Sequence, residues 1–146
     1  MKTPILKHLL ILAAFWGTQA CSSPDDTDTP PAEEKTFTIE VFYKSPTDSR
    51  TYHDTNSKLY IYYDIPSIDW IKYKYISDGV CVSRDSTVSP AQRDSVGFDG
   101  TARLHPVHAD RPMAVLVESN YYPGRLALLT YEDYRETIRA TVTFNP

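Results

Sequence analysis

From Thr36 onward the chain is a succession of short apolar and polar alternations, each too short for a helix and separated by Pro, Gly, Asp, Asn or Ser. Phe37, Ile39, Val41 and Tyr43 alternate with Thr38, Glu40 and Phe42, which predicts a first strand with one apolar face. After a polar stretch over Ser45–Ser57, read as a long loop, strands are predicted over Lys58–Ile65 and Trp70–Ser77. Asp78-Gly79 then turns the chain into Val80–Arg84, a dipeptide suited to a two-residue hairpin because both central positions need positive φ. Asp85–Ser95 reads as a second polar loop. Val96–Phe98, Thr101–His105, Pro112–Ser119, Arg125–Tyr131 and Thr137–Phe144 complete the set. No window of about eleven residues keeps an i, i+3, i+4, i+7 pattern, so helices are limited to single turns, around Ser89–Gln92 or Glu132–Glu136. Seven to nine short strands in residues 36–146 predict an all-β fold, a single antiparallel β-sandwich.

The first 35 residues have a different texture. Lys2 and Lys7 precede an apolar run from Leu9 to Trp16, and small residues lead to Ala20 and Cys21. A run this short falls well below the roughly 20 residues that span a bilayer, and its order of charge, apolar core and small-residue exit is that of a secretory signal over residues 1–20. Thr18-Gln19-Ala20-Cys21 resembles a bacterial lipobox, which implies that Cys21 becomes the lipidated N-terminus and the membrane contact. Residues 21–35 carry Pro24, Pro30 and Pro31 among acidic residues with no apolar period, a flexible tether. Within it, Asp25-Asp26 resembles the acidic export signal of surface-displayed lipoproteins in Bacteroidota, which implies an outer-membrane protein facing the cell exterior.

A second resemblance lies inside the sandwich. Phe98-Asp99-Gly100-Thr101-Ala102-Arg103-Leu104, followed after a short loop by Met113-Ala114-Val115-Leu116-Val117-Glu118, is similar to a stretch of transthyretin-like and carboxypeptidase-regulatory-like domains. The similarity covers about 20 residues and departs from the family where Arg111-Pro112-Met113 replaces the usual Gly-x-Tyr. An immunoglobulin-like sandwich stays open.

Charge and chemistry narrow the function. Losing Lys2 and Lys7 leaves 13 of the 15 basic residues against 19 acidic ones, so the net charge moves from −4 to −6, which argues against nucleic acid as a partner. With Cys21 acylated only Cys81 remains, so no internal disulfide can form; between Val80 and Val82 it reads as a buried, inert thiol. His105 and His108 stand three apart, which puts them on opposite faces of an extended segment, so with Asp110 as a third candidate they still do not converge as zinc ligands must, and no metal site and no cofactor is expected. No Gly-x-Ser-x-Gly elbow supports a hydrolase, and no catalytic residues are assigned.

The 11 tyrosines are the one excess that points to binding. Tyr60 and Tyr62 lie two apart on a strand and share a face, opposite Leu59, Ile61 and Tyr63. Either that face meets water or both faces are covered. Lys72 and Lys74 resist burial on the neighbouring strand, which favours an exposed Tyr60, Tyr62, Trp70 patch as the ligand site. Tyrosine is also an ordinary strand former whose cross-strand pairs stabilise sheets. The expectation is therefore a non-catalytic surface lipoprotein whose sandwich binds or builds. Glycan is one partner class; a role as adhesin or fimbria-associated component binding another surface protein is the alternative.

Overall fold

The computed structural model describes residues 36–108, 110–132 and 137–146. In chain order the strands are β1 (Phe37–Lys44), β2 (Thr51–His53), β3 (Lys58–Tyr63), β4 (Lys74–Ser77), β5 (Val80–Val82), β6 (Thr87–Val88), β7 (Gln92–Ser95), β8 (Thr101–Leu104), β9 (Met113–Glu118), β10 (Leu126–Tyr131) and β11 (Ile138–Phe144), with a 3₁₀ turn at Ser67–Lys72. The fold is an all-β sandwich.

The alternation of β1 does what the sequence predicts: Phe37, Ile39 and Val41 are wholly buried while Glu40 is exposed. β1 is the spine of the first sheet. Along one edge it pairs with β11, from Phe37↔Ile138 to Tyr43↔Phe144, in a parallel ladder. Its other edge is shared, with β8 on its first half and β2 on its second, both antiparallel. The handover falls at Val41, whose N–H donates to the Gly100 carbonyl (2.9 Å) while its own carbonyl accepts from Asp54 N–H (2.9 Å). Gly100 is required there: its φ is +74°, and a Cβ would lie 1.8 Å from His53 Nδ1.

The second sheet runs β10-β9-β3-β7, all antiparallel. Leu59 and Ile61 of β3 with Met113, Val115 and Val117 of β9 face the first sheet and form the main core with Phe37, Ile39, Val41, Leu104, Val142 and Phe144. The reverse face of the same strands carries Tyr60, Tyr62, Ala114 and Leu116, and these too are buried, under Trp70, Cys81 and the partly buried Tyr73, Tyr75 and Val88. A third, three-stranded sheet, β4-β5-β6, together with the 3₁₀ turn, supplies that cover. Strands buried on both faces read as continuous apolar runs, as KLYIYY and MAVLVE nearly do.

Several expectations change. The strand predicted over Trp70–Ser77 begins only at Lys74; Pro66, with φ −56°, opens a 3₁₀ turn closed by Asp69 N–H to Pro66 O (2.9 Å) and Tyr73 N–H to Trp70 O (3.0 Å). The stretches read as polar loops contain β2, β6 and β7, so Ser89–Gln92 is not helical. Val96–Phe98 is instead part of a turn, with Gly100 N–H donating to Gly97 O (3.0 Å). The second helical expectation, Glu132–Glu136, lies almost wholly outside the described residues. Asp78-Gly79 forms its hairpin as expected, with φ of 46° and 79°.

The sandwich has two distinct ends. The chain enters at Thr36, beside Leu104, Ile138, Tyr131 and Met113, where the Phe37 and Tyr131 rings meet edge to face at 4.9 Å. β1 then runs about 25 Å, at roughly 3.3 Å per residue, to the far end. Lys44, Phe144, Lys58 and Glu118 stand there. Among the described residues no helix is long and apolar enough to cross a membrane.

Candidate functional site

The far end gathers tyrosines that the sequence scatters. Tyr43, near the end of β1, sits opposite Tyr52 of β2, and their rings lie 5.7 Å apart and 27° from parallel. The β9–β10 loop brings Tyr121 against Tyr43 from 78 residues further along, 9° from parallel with centroids 3.6 Å apart, and sets Tyr122 edge-on to both. Tyr52 and Tyr121 remain 40% and 43% exposed, so the group offers aromatic surface to solvent.

A buried polar clasp fixes this loop. Asp54, 1% exposed, accepts from Ser119 Oγ and, at 3.0 Å, from the Tyr121 backbone N–H. Ser119 Oγ in turn accepts from Tyr122 N–H (2.9 Å), and Ser57 Oγ accepts from Asn120 N–H (3.2 Å). Each buried oxygen is thereby satisfied, and the Ser119 hydroxyl is committed to holding the loop. Tyr122 Oη donates to the Lys44 carbonyl at 2.7 Å, and Tyr52 Oη to Asp48 at 2.6 Å. Desolvation raises the pKa of Tyr43, with Tyr121 and the Asp54 and Asp48 carboxylates adding to it, and likewise raises that of Tyr122. The Asp48 hydrogen bond raises Tyr52, and the same bond lowers Asp48. At neutral pH these three phenols therefore stay protonated and their rings are neutral, with the Tyr52 and Tyr122 hydroxyls already donating to Asp48 and to the Lys44 carbonyl.

The same loop contributes Ser119, Asn120 and Pro123 to a small polar pocket of about 170 Å³, which Asn56, Lys58 and Glu118 complete. Glu118 is held by two phenols, accepting from Tyr60 Oη at 2.8 Å and Tyr75 Oη at 3.0 Å, with Lys58 Nζ at 4.0 Å. Two amides, an ammonium and a carboxylate thus line a pocket that shares the β9–β10 loop with the stacked tyrosines. Rings bind the apolar face of a flat, hydroxyl-rich ligand, while amides and carboxylates take its hydroxyls.

The residues singled out from sequence stand elsewhere. Tyr60, Tyr62 and Trp70 are 2%, 2% and 7% exposed, so the expected surface patch does not exist. Tyr62 Oη donates to the Gly79 carbonyl and lies 3.7 Å from Cys81 Sγ, and its ring meets Trp70 edge to face at 4.9 Å. Lys72 and Lys74 are exposed as argued, but their inward neighbours Tyr73 and Tyr75 pack onto the tyrosine face of β3 instead of the main core. Only Tyr60 touches the far-end chemistry, through Glu118. Cys81 is a buried free thiol, pushed up in pKa by burial with a smaller opposing effect from Tyr62. His108 rests edge-on against Tyr63 at 5.0 Å, and among the described residues no cluster of three His, Cys, Asp or Glu could hold a metal. Cys21, Asp25 and Asp26 lie outside the described residues. Compared with protein-family models, with curated proteins and with solved structures, the chain matches none.

Proposed function

We propose that this chain is a non-catalytic lipoprotein, anchored through Cys21 and displayed outward by Asp25-Asp26, whose sandwich binds glycan at its far end. The observation that carries the reading is the pairing of exposed Tyr52 and Tyr121 with the Asn56, Glu118 and Asn120 pocket across one clasped loop. That loop stands at the end of the sandwich opposite Thr36. The clasp supports the reading because a preorganised platform loses little entropy on binding.

Two measurements test its two halves. The full chain in detergent, applied to a glycan array, is expected to bind at least one glycan class. Tyr121→Ala and Tyr52→Ala should each weaken that binding by about tenfold, the worth of one aromatic contact, with the circular dichroism spectrum unchanged. Binding that survives both substitutions, or binding to host proteins alone, would transfer the chain to the adhesin class. For the anchor, an acyl label is expected to enter the wild type and be absent from Cys21→Ala; equal labelling of both defeats the lipobox assignment.

A further inference from the structure

The end of the sandwich at which Thr36 stands carries a second cavity, apart from the cluster of Tyr43, Tyr52, Tyr121 and Tyr122. β7 pairs with β3 only from Lys58 to Ile61, so its cover stops two residues before β3 does. Beyond it, Tyr62 and Tyr63 line a half-open pocket of about 360 Å³ together with Ile65, Val88 and Ala91. The volume lies within the range of small-molecule sites, and the composition, apolar with a few polar groups, is theirs too.

Two opposite charges also line this pocket. Asp64, immediately after β3, takes a left-handed backbone conformation (φ 63°), which aspartate tolerates, and its N–H donates to the Pro112 carbonyl at 2.9 Å. That bond ties the bend to the segment carrying Arg111, whose Nη1 lies 3.1 Å from Asp64 Oδ2. Both side chains are about half exposed, so their mutual attraction is weak and yields readily to a ligand supplying both charges. The guanidinium has five N–H donors and the carboxylate two oxygens, more than the bond between them uses.

We propose that this pocket binds a small zwitterion with an apolar side chain, of the α-amino acid type. The α-carboxylate joins Arg111, the α-ammonium joins Asp64, and the side chain enters between Val88, Ile65 and the tyrosine rings. Chemistry of one charge only leaves the other member of the pair facing an apolar ligand, and so binds worse.

The test is calorimetric titration of the full chain in detergent with L-phenylalanine and L-leucine, against phenylalaninamide, which lacks the carboxylate, and N-acetyl-L-phenylalanine, which lacks the ammonium. Both amino acids are expected to saturate in the millimolar range, and each derivative to bind about tenfold or more weakly. Arg111→Gln should weaken L-phenylalanine by about tenfold while leaving phenylalaninamide unchanged, and Asp64→Asn should do the same with N-acetyl-L-phenylalanine as the unaffected ligand. Both substitutions are at exposed positions, and unaltered denaturation midpoints will show that the fold is retained. Absence of saturable binding by either amino acid, or equal affinity for amino acid and amide, overturns the proposal.

Discussion

Removal of residues 137–146 is expected to abolish folding, and the single substitution Phe144→Ala to cost about 3–5 kcal/mol, a large part of the roughly 5–15 kcal/mol that a domain has. β11 pairs with β1 at seven positions, and Val142 and Phe144 complete the main core with Phe37, Ile39 and Val41. Without the strand, β1 loses its partner along one whole edge and the core is open at the far end. The loss also reaches the tyrosine site, since Tyr43 is the register partner of Phe144. Thr143, between the two buried residues, is exposed, so Thr143→Ala should cost about 1 kcal/mol or less. Urea denaturation of the two substituted chains checks this; coincident midpoints would mean that the inward register of β11 is wrong.

β1 and β11 were legible because each has one buried face, and a period of two then identifies the inward residues without further information. Asp78-Gly79 was legible for a different reason: few dipeptides reach positive φ at two successive positions. The tyrosine face of β3 was not. Periodicity establishes that Tyr60 and Tyr62 point together, but not whether another layer lies over them. That cover comes from the 3₁₀ turn and from strands of two to four residues, too short to leave a period of their own. Lys72 and Lys74 were correctly placed in solvent, yet the surface they occupy is the outside of a third layer. The far-end site was hidden for a further reason. Asp54 and Ser119 are 65 residues apart, and their bond depends on two loops meeting across two different sheets. A lone Asp and a lone Ser in polar loops carry no local signal, whereas Tyr121-Tyr122 before Pro123-Gly124 is at least a turn with an aromatic pair on it.

The third layer makes its own prediction, and it separates a packed cover from a loose flap. Tyr62→Ala should cost about 3–5 kcal/mol, as for any large buried aromatic, because its ring fills the space between Trp70, Cys81 and Ala114. Tyr62→Phe keeps the ring but leaves the Gly79 carbonyl without its phenolic donor, and should cost about 1–3 kcal/mol. Trp70→Ala belongs with the larger group, and for packing alone: its indole N–H is buried with no hydrogen-bond partner among the described residues, so no bond is lost with the ring. Tyr52→Ala is the control, since an exposed tyrosine should cost no more than about 1 kcal/mol. Denaturation midpoints of the four substituted chains order the effects. If Tyr62→Ala and Trp70→Ala move the midpoint no further than Tyr52→Ala does, the sheet of β4, β5 and β6 is not packed on β3, and the tyrosines of that strand are open to solvent after all.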